Sequence, residues 1–151
     1  MTGDAIARAV LDENSYMTLA TADESGVPWA SPVWFATENY RELYWLSSPT
    51  TRHSKNLAVR PKLSIVVFDS TVVPGAAQAV YMTGTAAQVP ENDLEPALSV
   101  YSGVSVRSGL KEFGIDSVTG AARLRLYRAT VTEHYILDPD ATIDVRIEVS
   151  P

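Results

Sequence analysis

The sequence predicts one mainly β domain, an antiparallel barrel or sandwich with a few short helices. Three observations support this prediction. Six or seven segments alternate between apolar and polar residues, turns rich in Asp, Ser, Gly and Pro separate most of them, and the helical segments are few. The 151 residues fit a single domain covering positions 1–151, and a domain of that length buries roughly two-thirds of the surface of its unfolded chain.

The first part of the chain predicts a short helix followed by three strands. Asp4 is the predicted N-cap of the helix, because Ile6, Ala9 and Val10 follow at helical spacing. The predicted strands cover residues 16–22, 27–36 and 43–47. Since only short polar turns separate these strands, we expect them to form an antiparallel meander.

The middle of the chain interrupts this pattern with a predicted helix within residues 48–59. Thr50 or Thr51 is the expected N-cap, and Arg60-Pro61 ends the helix because a residue before proline avoids the helical region. Strands are predicted at residues 63–68 and 79–89. Gly84 indicates a bulge or a close backbone approach within the second of them.

The last third is predicted to contain one helix, a long irregular segment and two strands. Residues 90–101 form the helix, with Pro90 near its start. Residues 102–120 hold four of the glycines, which predicts a loop with one short helix around 107–113. The final strands are predicted at residues 122–137 and 143–149.

Composition excludes several classes of function. The net charge of −6 opposes binding to nucleic acid or to an anionic membrane, because phosphate backbones are bound by summed positive charge. The absence of cysteine excludes disulfides, thiolate catalysis and Cys-ligated metal sites, and two histidines are too few for a His-rich metal centre. No apolar run resembles a signal peptide or a membrane span, so a cytoplasmic location is the default expectation.

Basic and hydroxyl side chains are concentrated between Leu43 and Phe68, a segment without Asp or Glu. Its basic residues are Arg52, Lys55, Arg60 and Lys62, with His53 among them. If a helix begins near Thr51, its free backbone N–H groups and these side chains form an anion site, most often for a phosphate. An equally weighted alternative is that Ser and Thr only cap the helix while Arg52 and Lys55 are solvated.

Aromatic residues are also concentrated, and they include all three tryptophans. They are Trp29, Trp34, Phe35, Tyr40, Tyr44 and Trp45. Such rings can stack on a planar ligand, although a place in the core or a dimer interface is favoured for most of them individually. Neither histidine has the neighbours of a hydrolytic triad, and no glycine-rich nucleotide motif is present.

Three segments carry a family resemblance. They are MTLATADESGVPWASPVWF, LYWLSSPTTRHSKNLAVRPKLSIVVF and VYMTGTAAQV. Their order and spacing resemble the FMN-binding split barrels of the pyridoxamine 5′-phosphate oxidase-like superfamily, from about Tyr16 to Val89 and more loosely beyond. The resemblance implies a six-stranded antiparallel split β-barrel that binds FMN at the interface of a homodimer.

The resemblance also implies which residues contact the flavin. By position these are Ser31, Val33, Trp34, Leu46, Ser47, Ser48, Thr51, Arg52, His53, Lys55 and Asn56, with Gln78 contributed by the partner subunit. Two positions depart from the family pattern, since His53 replaces a common lysine and Arg60 a common asparagine. The C-terminal arginine and tryptophan of true pyridoxamine phosphate oxidases are absent, so pyridoxamine phosphate is not the expected substrate.

The expected function is that of an FMN-dependent oxidoreductase acting on a small molecule, because the flavin itself carries the electrons and no catalytic dyad is needed. Three alternatives remain open. The same barrel can use a deazaflavin coenzyme, it can bind flavin or heme without catalysis, or it can be a structural dimer that has lost the site. Catalytic residues are not assigned by the sequence.

Overall fold

The computed structural model describes all 151 residues and has seven strands and three α-helices. The strands are β1 (Tyr16–Ala22), β2 (Pro28–Trp34), β3 (Glu42–Ser47), β4 (Lys62–Phe68), β5 (Ala79–Gln88), β6 (Arg125–Leu137) and β7 (Arg146–Val149). The helices are α1 (Gly3–Glu13), α2 (Arg52–Val59) and α3 (Glu91–Arg107), and a single 3-10 turn covers Ile115–Ser117. None of the three helices has the length and apolar character needed to cross a membrane.

All strand pairs are antiparallel, and the sheet order is β2-β1-β4-β5-β6-β3, with β7 added beside β6. The predicted meander of β1, β2 and β3 is therefore wrong. The hairpin of β1 and β2 forms, but β3 pairs along its whole length with β6 and lies at the opposite end of the sheet from β2. Both faces of β3 are buried there, because Leu43 and Trp45 belong to the interior apolar cluster while Tyr44 packs in a second cluster with residues of α3.

The two ends of the sheet approach each other at one isolated bridge. Ala36, just after β2, exchanges two backbone hydrogen bonds with Tyr44 of β3, at 3.0 and 2.9 Å. Beyond this bridge the two strands are not paired, so the sheet curls into a barrel that stays open along one side. This confirms the predicted mainly β, antiparallel split barrel.

The interior of the barrel is one apolar cluster to which every strand contributes. Alternate residues point inward, as in Met17 and Leu19 of β1 or Ile65 and Val67 of β4. Trp45 of β3 is fully buried and stacks on Tyr127, with ring centroids 5.7 Å apart. Helix α1 closes one end of the barrel with Ala7 and Leu11, and Leu57 of α2 enters the same cluster from the other end.

A second apolar cluster covers the opening between β2 and β3, and α3 supplies four of its nine buried residues. Tyr101 of α3 packs edge-on against Trp34 of β2, with ring centroids 5.3 Å apart. Arg128 of β6 donates to the carboxylate of Asp93 at 3.1 Å and so ties the start of α3 to the sheet. Helix α3 therefore shields the unpaired edge of the barrel from water.

The structure corrects the predicted helix around residues 107–113. Helix α3 continues to Arg107, and the chain that follows it is irregular until the 3-10 turn. Glycine content suggested a loop, but Ser102 and Ser105 lie on the buried face of α3, which keeps this stretch helical. Their hydroxyls then hold the following segment, since Ser105 donates to Lys111 O at 2.7 Å and Ser102 accepts from Phe113 N at 2.9 Å.

The cap of α1 also differs from the prediction. Thr2 is the N-cap, and its hydroxyl oxygen accepts from Ala5 N at 3.3 Å. Asp4 lies inside the first turn, where its carboxylate accepts from Ser150 N at 2.8 Å. The aspartate thus fastens the C-terminal segment to α1, a long-range role that local sequence does not reveal.

Gly84 confirms the predicted close approach in β5. The β5–β6 register shifts here, because Thr83 pairs with Glu133 while Gly84 pairs with Val131, which leaves Thr132 as the extra residue. A side chain at Gly84 would collide with the carbonyl oxygen of Thr130.

We expect Gly84→Ala to lower the free energy of unfolding by about 2 kcal/mol or more, since rigid neighbouring backbone has to move. Urea unfolding monitored by tryptophan fluorescence measures this loss. Gly114→Ala is the control, because no atom lies within 4 Å of the added carbon, and its effect should stay within about 0.5 kcal/mol. Equal stability of the two variants would contradict the steric argument.

Candidate functional site

Helix α2 lies across one end of the barrel and carries most of the predicted site residues. Thr51 is its N-cap, with the hydroxyl oxygen accepting from Ser54 N at 3.4 Å, which confirms one of the two predicted caps. Arg60 is the C-cap, and its N–H donates to Asn56 O at 2.8 Å. The helix therefore ends before Pro61, as predicted.

The inner face of α2 is fixed to the first hairpin by a buried chain of hydrogen bonds. Asn56 Nδ2 donates to Thr21 Oγ1 of β1 at 3.0 Å, and the Thr21 hydroxyl donates to the Trp29 carbonyl of β2 at 3.4 Å. Both polar side chains are almost fully buried. Because unpaired buried polar groups are costly, this chain holds α2 in one position on β1 and β2.

Four polar side chains, three of them buried, form a cluster beneath the first turn of α2, called here the Ser47–His53 cluster. Its members are Ser47, Thr51, His53 and Ser54. His53 Nε2 is hydrogen-bonded to Ser47 Oγ at 2.8 Å and lies 3.3 Å from Thr51 Oγ1. Only 7% of His53 is exposed, and this burial lowers the pKa of its imidazole. His53 is therefore neutral at pH 7 and does not supply the charge of the lysine common at this position.

The outer face of α2 carries two unneutralised cations. Arg52 and Lys55 are exposed, and neither forms an ion pair; the ion pairs of the protein join Arg128 to Asp93 and Arg146 to Asp144. The first turn of α2 has no acidic residue. Anions are therefore attracted by two side chains and by the free N–H groups of the helix together.

A groove of about 490 Å³ runs between α2 and the end of β5. Ser54, Lys55 and Ala58 line its helix side, and Ala86 and Gln88 line its strand side. Volumes of this size are typical of sites for small molecules and cofactors. The groove thus places one of the free cations beside a space that a ligand can enter.

The remaining predicted residues divide between this end of the barrel and the cover of its open side. Ser48 lies before the helix, with its hydroxyl 2.8 Å from Thr50 Oγ1. Ser31 and Val33 lie on β2, where Val33 belongs to the interior cluster. The side chains of Trp34 and Leu46 are partly buried and pack against the second cluster under α3.

Gln78 lies at the opposite end of the barrel from α2 of the same chain. Its Nε2 donates to Leu137 O at 3.0 Å, while its Oε1 is buried without a partner. The residues of β5 that face α2 begin at Ala86. The extended chain from Gln78 to Ala86 measures about 26 Å. One chain therefore does not bring Gln78 to the α2 site.

Sequence reasoning did not include Thr21 and Trp29 among the site residues. Thr21 lies in a strand with alternating apolar and polar residues, and this pattern does not distinguish it as a site residue. Trp29 belongs to the aromatic concentration in the sequence, but its contact with Arg52 is visible only in the three-dimensional structure, where the guanidinium carbon lies 4.3 Å from the ring centroid. Three other aromatic residues of that segment, Phe35, Tyr44 and Trp45, are buried in the core.

Comparison with protein families identifies the family to which this fold belongs. The family model for pyridoxamine 5′-phosphate oxidase matches residues 4–137. The chain belongs to this family, as the resemblance of its three segments predicted. A search of curated proteins found no match.

Solved structures of similar fold bind more than one kind of cofactor. A heme binding protein from Mycobacterium smegmatis superposes with a TM-score of 0.76 and 18% identity, covering 99% of this chain and 58% of that chain. The heme storage protein HutZ from Vibrio cholerae has a TM-score of 0.68 and 26% identity, with 87% and 92% covered. An FAD-binding protein from Mesorhizobium loti has a TM-score of 0.67 and 16% identity, with 90% and 94% covered. This chain thus spans little more than half the length of the mycobacterial protein.

Acid should destabilise the protein through its two histidines. Burial lowers the pKa of both His53 and His134, so the unfolded chain takes up these protons at a higher pH than the folded protein does. The free energy of unfolding then decreases as the pH falls below about 6.5, by up to about 1.4 kcal/mol per pH unit for each histidine. Urea unfolding between pH 8 and pH 5 measures the slope.

His53→Gln removes one of the two titrating groups and serves as the comparison. Its free energy of unfolding should fall less steeply between pH 6.5 and pH 5 than that of the wild type, whatever its absolute stability. An identical slope in both proteins would show that His53 does not titrate differently in the folded and unfolded chains.

Proposed function

We propose that this protein is an FMN-binding oxidoreductase that acts on a small molecule. The observation that carries the proposal is the pair of unneutralised cations, Arg52 and Lys55, at the start of a helix whose first turn has no acid. Membership in the pyridoxamine 5′-phosphate oxidase family and the fold shared with an FAD-binding protein support a flavin.

The residues around α2 fit the chemistry of a flavin phosphate. A phosphate needs several donors and positive charge, and here the hydroxyls of Ser48 and Thr50, the side chains of Arg52 and Lys55 and the helix N–H groups lie together. When bound, the isoalloxazine ring of FMN supplies hydride or electron transfer. The chain's part is to bind the phosphate, to orient the ring along β2 and β3, and to limit the access of water.

Heme binding is the second candidate, favoured by the 26% identity to HutZ. Heme iron is usually held by His, Cys, Met or Tyr, and this chain has two histidines and no cysteine. His53 is buried and bonded to Ser47, and His134 is bonded to the Tyr40 carbonyl at 2.7 Å. Both bonds involve Nε2, so an iron bound through that nitrogen would have to displace the protein partner, and flavin is the first candidate.

The proposed cofactor site is completed by a second copy of the chain. The outer face of β1, β4 and β5 holds an apolar groove of about 340 Å³ lined by Ala20, Val66 and Tyr81, whereas the outer face of an antiparallel sheet is usually polar. A partner subunit covering this face can bring its own Gln78 to the flavin, which the same chain does not do. The proposed assembly is therefore a homodimer with the cofactor at its interface.

Removing the two cations tests the phosphate site. We expect the double variant Arg52→Ala, Lys55→Ala to bind FMN at least about tenfold more weakly, since charge-assisted contacts each contribute on the order of 1.5–3 kcal/mol. FMN titration monitored by quenching of tryptophan fluorescence measures the affinity. Arg8→Ala is the control for loss of a cation elsewhere, because it removes one exposed positive charge from α1 at the far end of the barrel. An unchanged affinity in the double variant would refute the anion site.

Parallel titrations identify the cofactor. FMN, a deazaflavin coenzyme and hemin are offered to the wild-type protein, and the absorption of the protein as purified is recorded. Tight FMN binding with flavin absorption supports the proposal, while preferential binding of the deazaflavin or of hemin overturns the choice of FMN. Turnover with a reduced nicotinamide and an electron acceptor distinguishes an enzyme from a carrier.

A charged residue on the outer face tests the homodimer. Ala20 is exposed in that groove, and Ala20→Lys places a charge where the partner is expected. We predict that sedimentation equilibrium gives a dimer for the wild type and mainly monomer for this variant. Asn92→Lys on α3 adds the same charge outside the groove and should remain dimeric. A monomeric wild type at micromolar concentration would overturn the assembly.

A further inference from the structure

The side chain of Arg52 has one contact with the rest of the protein that involves its charge, and this contact is aromatic. Its guanidinium carbon lies 4.3 Å from the centroid of the Trp29 ring. It forms no ion pair, and no protein acceptor lies within hydrogen-bond distance of it, unlike Arg128, which is paired with Asp93. Arg52 is therefore held by the face of a ring and not by a carboxylate.

An arginine that stacks on an aromatic ring is more available to bind an anion than one that is paired with a carboxylate. A carboxylate occupies the N–H donors of the guanidinium and cancels its charge. A ring contacts only the flat face, so the five donors in the guanidinium plane stay free for an incoming anion. At the same time the ring restricts a long side chain that would otherwise lose much rotamer freedom on binding.

Trp29 is itself fixed by the helix that carries Arg52. Its carbonyl accepts from Thr21, which in turn accepts from Asn56 of α2. Arg52 contacts the Trp29 ring directly, and Asn56, one turn further along α2, is linked to the Trp29 carbonyl through the Thr21 hydroxyl. The position of the indole relative to the start of α2 is thus determined at two points.

We infer that Trp29 is a positioning residue for the phosphate site: its ring holds the Arg52 guanidinium over the start of α2 with its hydrogen-bond donors free. This inference rests on the proposed function, because it assigns Arg52 to the cofactor phosphate. It adds a residue outside the set that the family resemblance implies, and it gives the exposed indole, 41% accessible on an edge strand, a role in binding.

A double-mutant cycle tests the inference with FMN as the probe. We expect Trp29→Ala alone to weaken FMN binding about threefold, the loss that corresponds to an exposed cation–π contact. In an Arg52→Ala background the same substitution should have no further effect, because there is no guanidinium left to hold. Trp29→Phe keeps an aromatic face and should bind FMN within about twofold of the wild type. Equilibrium dialysis measures all affinities, since the variants alter tryptophan emission.

Val27→Ala, which trims another exposed apolar residue beside the same strand, is the control and should leave the affinity unchanged. Equal weakening by Trp29→Ala in both backgrounds would mean that the indole acts independently of Arg52 and would overturn the inference, as would no weakening at all or failure of Phe to restore binding. If Arg52→Ala itself binds FMN like the wild type, the proposed phosphate site fails and the positioning role fails with it. These results are distinguishable, because only the last one involves an unaffected Arg52→Ala variant.

Discussion

The bridge between Ala36 and Tyr44 is the constraint on which the rest of the architecture depends. It joins the two ends of the sheet by a single pair of backbone hydrogen bonds, so the sheet is curved around one core but is not closed. A curved sheet with an unpaired side exposes apolar residues and backbone groups there, and both need a cover. Helix α3 provides it, with Tyr101 packed on Trp34 and Asp93 tied to Arg128.

The same closure dictates where α2 lies. Because β3 pairs with β6 while the next strand, β4, pairs with β1, the chain has to pass across the end of the barrel between them. In that place the inner face of α2 meets both the Thr21 hydroxyl of β1 and the apolar interior of the barrel. This explains why its inner face is anchored by Asn56 and Leu57 together, and why the imidazole of His53 turns inward to Ser47.

Local chemistry made much of this structure predictable from the sequence. Alternation located every strand end to within three residues, and Thr51, Pro61 and Gly84 have the roles expected of them. Long-range choices were not predictable: the partner of β3 depends on closure of the whole sheet, and the length of α3 depends on burial that outweighs its glycine. The absence of Asp and Glu between Leu43 and Phe68 indicated the basic segment. The neutral, buried imidazole of His53 and the contact of Arg52 with Trp29 arise from tertiary packing, which the sequence does not show.

The local sequence of α2 also disfavours helix formation. A helix start carries partial positive charge, so acids stabilise it and bases destabilise it, yet the first turn here holds Arg52 and Lys55 and no acid. Eight residues are too few for a helix to be stable alone, so the Thr51 cap, the Asn56–Thr21 bond and the burial of Leu57 have to outweigh this repulsion. Departures of this kind from local preference are found where a site serves binding. An anion beside the first turn would interact favourably with the helix and with both cations at once, so the feature that weakens α2 alone is the one that favours a phosphate there.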